Sequence, residues 1–171
     1  MMHCAIVTNS NRGRRGFTLL EMLIVVFILA IVASFGIQAV SAFEANHRAE
    51  RAARECMAAF RYSRYLAMTT GKNSKVSFNT ATNSFSVYWK SNGTTWDATP
   101  VTQPLAGGTY TMNLNSAKGI VGTTFSLNPS GTTDFTYNSL GSCDNATVIT
   151  FTFGSKTRTL TIPKAGDPRL N

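Results

Sequence analysis

Histidine, cysteine and acid are all scarce in this chain. It holds two histidines, His3 and His47, and no nucleophile or acid is visibly arranged with either. Three cysteines in 171 residues exclude a disulfide-dense miniature scaffold. Asp97, Asp134, Asp144 and Asp167 are scattered, and no calcium-loop spacing links them. Gly-x-Ser-x-Gly, a phosphate-cradling glycine loop and a metal-spaced Cys/His set are all missing. Charged residues make up only 14% of the chain and apolar ones 43%, a balance unlike that of disordered sequences. The length suits one domain with a real core. What remains is a formal charge of +8 and a very uneven distribution of apolar residues.

That unevenness is greatest from Phe17 to Val40, where the chain reads FTLLEMLIVVFILAIVASFGIQAV with Glu21 as its single charge. A helix over this stretch rises about 36 Å at roughly 1.5 Å per residue, enough to cross a hydrocarbon core of about 30 Å. It has no polar face, unlike a buried core helix. Arg12, Arg14 and Arg15 just before it place the N-terminus in the cytoplasm and the remainder outside. An ordinary secretory signal, cut near Val40-Ser41-Ala42, is the competing reading. The length of the run and the carboxylate inside it weigh against that reading, because an intramembrane acid is costly and usually marks function.

Arg14-Arg15-Gly16-Phe17-Thr18-Leu19-Leu20-Glu21-Met22-Leu23 resembles the N-terminus of type IV prepilins and type II secretion pseudopilins. The resemblance implies cutting by a prepilin peptidase between Gly16 and Phe17, N-methylation of Phe17, and retention of the apolar helix. Loss of the leader, with Cys4 and His3, leaves a mature charge of +5. The new ammonium at Phe17 and a neighbour's Glu21 would neutralise each other inside a filament, since buried charges are tolerable paired and costly alone. Glu21 is thus an expected assembly residue.

Beyond Val40 the helical pattern continues but becomes amphipathic. Ala45, Ala49, Ala52, Cys56, Ala59, Ser63 and Leu66 recur at helical spacing, widened by Met57 and Phe60. Glu44–Arg48 and Glu50–Arg54 are favourable i, i+4 pairs, and Gly71 is a suitable stop. The five arginines between Arg48 and Arg64 read as a solvated face, offset by Glu44, Glu50 and Glu55.

From Lys75 the period becomes two. Val76 and Phe78, then Phe85, Val87 and Trp89, predict a hairpin around residues 79–83. Breakers follow at Asn92-Gly93, Pro100, Pro104 and Gly107-Gly108. Strands are expected at Tyr110–Leu114, Phe125–Leu127 and Phe135–Tyr137, with Asn128-Pro129-Ser130-Gly131 as the turn between the last two. A final hairpin turns at Gly154-Ser155, setting Ile149 opposite Leu160 and Phe151 opposite Arg158. Trp89, Trp96 and Tyr110 are read as packing residues.

The expected fold is α+β: a long N-terminal helix, transmembrane then amphipathic, packed on an antiparallel β head. The parts are a cleaved leader (1–16), a membrane or filament-core helix (17–40), its periplasmic half (41–70) and a β domain (71–171). Phe60 to Ala67, Lys75 to Phe78 and Phe125 to Gly131 are similar to GspH/FimT-type minor pseudopilins. That resemblance implies a structural, non-enzymatic subunit of a type II secretion pseudopilus or a type IV pilus. Its partners would be other pilins, the prepilin peptidase and an inner-membrane assembly platform, with no cofactor.

Cys56, on the helical stripe, and Cys143, in a loop, would both be periplasmic and are expected to form a disulfide. The chain-entropy model gives such a bond roughly 3–5 kcal/mol. Two alternatives stay open. One is a DNA-binding minor pilin using Lys164 and Arg169, although Asp167 stands where the related Gly-Arg-x-Arg tail has its first arginine. The other is a membrane-anchored periplasmic hydrolase, for which no nucleophile–base pair is visible.

Overall fold

The computed structural model describes residues 17–103 and 108–171, without the side chains of 35–42. The expected leader, Gly16, and the breakers Pro104 and Gly107 lie outside the described residues. One helix, α1 (Leu19–Thr70), precedes eight strands: β1 (Ser74–Asn79), β2 (Ser84–Trp89), β3 (Thr111–Asn113), β4 (Thr124–Asn128), β5 (Asp134–Tyr137), β6 (Thr147–Phe153), β7 (Lys156–Ile162) and β8 (Arg169–Leu170). The chain divides into two compact units, Met1–Val40 and Ser41–Asn171.

In the first unit the helical side chains from Leu19 to Ser34 are exposed all round. Leu19 is 84% exposed and Phe27 64%. Among the described residues no helix is long and apolar enough to cross a membrane. The expected span over 17–40 is therefore described only in part. Its described side chains end at Ser34, covering about 24 Å of rise, short of a hydrocarbon core of about 30 Å.

In the second unit α1 offers small side chains. Ala49, Ala52, Ala53, Cys56, Ala59, Ser63 and Ala67 are fully buried, much as the helical stripe predicts. Small residues bury little area themselves but let two sheets approach the helix closely. The bulk comes from the strands: Val76, Phe78, Phe85, Val87, Phe135 and Tyr137 from one sheet, Ile149, Phe151, Leu160 and Ile162 from the other, all in one core. Phe60 is the large exception on the helix. Its ring lies 6.1 Å from Phe78, 5.9 Å from Phe135 and 6.3 Å from Tyr137, in the spacing aromatic pairs prefer. α1 stops at Gly71, whose φ of +67° is the left-handed conformation that suits a helix C-terminus.

The strands form two four-stranded antiparallel sheets, ordered β3-β2-β1-β5 and β4-β6-β7-β8. The first hairpin aligns Val76 with Val87 and Phe78 with Phe85. The last aligns Ile149 with Leu160 and Phe151 with Arg158, the expected register, and Gly154 turns at φ +57°. The segment Asn128-Pro129-Ser130-Gly131 departs from expectation. It closes no hairpin but carries the chain from β4 in one sheet to β5 in the other. β5 instead pairs with β1, which sets the inward residue Phe135 beside Val76.

Candidate functional site

At the start of α1 the backbone is non-helical at Phe17 and Thr18, and the helix begins at Leu19. Thr18 Oγ1 accepts a hydrogen bond from the Glu21 backbone N–H at 3.2 Å, and the Thr18 carbonyl accepts from Met22 at 3.2 Å. Thr18 is thus the N-cap, and Glu21 occupies the third helical position. Thr-x-x-Glu is the pattern of a capping box, in which the acid also favours the positive end of the helix dipole. Phe17 is 72% exposed and Glu21 is exposed in the first turn. Thr18 was legible in the sequence through that same spacing, but the chain-cutting motif around it draws attention elsewhere. Beyond Glu21 the described stem side chains are apolar or small, and Ser34 bonds back to the Ile31 carbonyl at 2.7 Å.

Residues 11–37 match the family model described as the prokaryotic N-terminal methylation motif. The head matches solved structures in fold. The minor pseudopilin EpsH of the Vibrio cholerae type 2 secretion system aligns with a TM-score of 0.57 at 13% identity, covering 72% of this chain and 96% of that one. This is a pilin-like fold. The Pseudomonas aeruginosa type IV minor pilin FimU gives a TM-score of 0.55 at 18% identity, covering 72% of this chain and 87% of that one. By sequence, no curated protein matches the chain. The pilin-like fold thus joins a methylation motif to an α+β head whose helix packs on antiparallel strands.

The other expected site residues are placed as follows. Gly16 lies outside the described residues, next to the exposed Phe17. Cys56 and Cys143 are both buried, and both are free thiols, so the expected disulfide is not formed in this structure. Both belong to one buried core cluster. Cys56 sits in the helix–sheet core, where burial pushes its pKa well up. The Cys143 thiol is directed to Asp144 Oδ1 at 3.7 Å, and burial raises its pKa to about 11. Cys143 also forms a backbone β-bridge with Tyr137, whose hydroxyl is buried with no hydrogen-bond partner among the described residues.

Lys164 and Arg169 are exposed on the C-terminal tail, but that tail is docked. The Lys164 carbonyl accepts from the Cys143 N–H at 2.7 Å. Arg169 begins β8 and pairs with Thr161 on β7. Asp167 forms an ion pair with Arg64 of α1. Asp167 thereby tethers the tail to the helix. Glu44–Arg48 and Glu50–Arg54 pair as expected, the latter at 2.5 Å. Trp89 and Trp96 are half-buried, with Lys72 and Lys75 over their respective rings at 5.7 and 4.8 Å, and Tyr110 stacks on Tyr62 at 5.3 Å. Among the described residues no cluster of His, Cys, Asp and Glu is arranged to hold a metal ion.

Proposed function

We propose that this chain is a minor pilin or pseudopilin, a structural and assembly subunit of a type II secretion pseudopilus or a type IV pilus. Prepilin peptidase removes residues 1–16 after Gly16 and methylates the new N-terminus at Phe17. The helix over 17–40 first holds the chain in the inner membrane, with the N-terminus cytoplasmic and the head periplasmic. It then packs among other pilins in the filament core, handed over by the inner-membrane assembly platform. Residues 41–70 continue the helix into the head, and 71–171 form the β domain. No catalytic step is needed for this role.

The observation that carries this reading is Glu21: an exposed carboxylate in the first turn of a helix whose other side chains up to Ser34 are apolar or small, four residues from the residue that becomes the N-terminus. Once water is excluded by neighbouring helices, that carboxylate needs a cation, and the ammonium of an adjacent subunit's Phe17 is the cation of matching depth. Pairing then sets the axial register between subunits. A Glu21→Ala chain should still enter the membrane and be processed, but should fall severalfold in sheared filaments. Wild-type incorporation of that variant would overturn the pairing role.

A further inference from the structure

β4 is an outer strand of its sheet, and the ladder fixes which way its main chain points. Across the same sheet, Thr159 of β7 exchanges both main-chain hydrogen bonds with Asn171, at 3.3 and 2.9 Å. The Thr159 N–H and C=O therefore face away from β6. In an antiparallel ladder its β6 partner, Thr150, must then face β4, where it lies opposite Ser126. Thr124, Ser126 and Asn128 thus direct their N–H and C=O toward β6. Phe125 and Leu127 direct theirs off the sheet. Among the described residues no hydrogen bond reaches those four groups, and β6 is the only element beside β4. The preceding outward carbonyl, that of Thr123, is closed by Asn83 Nδ2 at 2.7 Å.

The other outer strands are protected. On β5 the Thr136 carbonyl accepts from the Asp144 N–H, and the Thr136 N–H donates to Asp144 Oδ1, each at 2.9 Å. β3 and β8 have three and two residues. The part of β7 beyond β8 carries Lys156 and Arg158, and the Arg158 guanidinium donates to the Thr157 carbonyl at 3.3 Å. Short strands, charge and local covering are the usual means of keeping sheet edges from pairing. β4 has none of them: it is five residues long, uncharged and free of proline. Thr124, Ser126 and Asn128 are exposed on one face, and Phe125 and Leu127 are half-buried on the other.

We propose that the open edge of β4 docks a second copy of this chain, the two β4 strands pairing antiparallel about Ser126. The strand is complementary to its own reverse. Thr-Phe-Ser-Leu-Asn laid against itself sets Phe125 opposite Leu127 of the second copy and Ser126 opposite its own counterpart. All four outward main-chain groups of each copy then find partners. Polar side chains meet polar ones on one face, apolar meet apolar on the other, and no like charges meet. Five residues a side is small beside the roughly 20–30 of a standard interface, so the pair is reversible. Such a two-fold contact closes on itself and cannot propagate. On the function proposed above it is therefore a state of the subunit outside the filament. The contact uses the head alone.

The test traps the pair covalently, using the full chain with Cys4→Ser in detergent under mild oxidation. Ser126 and its counterpart form a non-hydrogen-bonded pair, whose Cα atoms lie about 4.5 Å apart, within disulfide reach. Ser126→Cys should therefore give at least about tenfold more linked dimer than Thr124→Cys, whose two copies lie about 14 Å apart at roughly 3.4 Å per residue. A mixture of Thr124→Cys and Asn128→Cys chains should link to each other, read by mass spectrometry of the joined peptides. The parent chain, with Cys56 and Cys143 buried, should not link. Ser126→Lys, an exposed change, sets like charges opposite each other. It should cut the 124–128 link severalfold while leaving the unfolding midpoint unchanged. Equal linking of Thr124→Cys and Ser126→Cys, or none from either, would overturn the proposal. So would a 124–128 link that survives Ser126→Lys in both copies. Ser126→Cys captured in native membranes by a different protein, with no self-link, would rule out the second copy as occupant. None of these readouts depends on cleavage after Gly16 or on filament assembly.

Discussion

Phe27 and Phe60 are the same residue type on one helix, yet their surroundings are opposite. Phe27 is 64% exposed, among leucines, isoleucines and valines that are exposed too. Phe60 is fully buried, ringed by Phe78, Phe135 and Tyr137. In the head, apolar surface has found its partners within the chain. In the stem it has found none, and monomeric proteins in water rarely leave so much contiguous apolar surface open. On the function proposed above, the difference assigns stability to the head and association to the stem. A substitution should therefore register in melting or in assembly according to which side of Val40 it falls.

The largest expected break is at Phe60. Phe60→Ala should cost the head about 3–5 kcal/mol, while Phe27→Ala should leave the head's unfolding midpoint unchanged within about 0.5 kcal/mol. Denaturant titration followed by tryptophan fluorescence checks both, and a matching loss from Phe27→Ala would erase the distinction. Cys56→Ser comes next. It puts a hydroxyl into an apolar site, at a cost of about 1–3 kcal/mol. Because the thiol is free, melting should fall by the same amount with and without reductant; a loss confined to oxidising buffer would restore the disulfide.

A smaller effect is tied to acid. Burial works to raise the pKa of Asp134, but hydrogen bonds from Lys75 at 2.6 Å and Ser77 at 2.6 Å outweigh it and hold the carboxyl below its usual range. A depressed folded-state pKa contributes stability above the unfolded value of about 3.9 and loses it as pH falls toward the folded value. Wild-type melting should therefore drop more steeply below about pH 4 than that of Asp134→Asn, and parallel curves would discount the Lys75–Asp134 contact. Least of all, Arg54→Ala should cost about 0.3–0.5 kcal/mol, because its pair with Glu50 is an exposed i, i+4 bridge.

Much of this was written plainly in the chain. The stripe from Ala49 to Ser63 revealed the buried helix face, because a period of 3.6 survives any partner. The Ile149–Leu160 register followed from a two-residue glycine turn, a local feature. The helix stop at Gly71 was local as well. Non-local choices were hidden. Nothing near Asn128 says that β5 will skip β4 and pair with β1, since that depends on how two sheets share one core. β8 has two residues and no pattern of its own; its pairing is set by β7. The Cys56–Cys143 expectation rested on compartment and position, and the structure places both thiols in one core but leaves them free. At the stem, glycine, phenylalanine and glutamate were conspicuous, whereas Thr18 was passed over although its spacing to Glu21 is a capping signature.

The central claim is that the apolar stem is kept and its new terminus is made at Phe17. Intact mass and N-terminal fragmentation of the protein isolated from its native membranes test this most directly. The account predicts a chain that starts at Phe17, lacks residues 1–16 and is one methyl group heavier than the bare sequence. A chain that starts at residue 43, released without the stem, would contradict it.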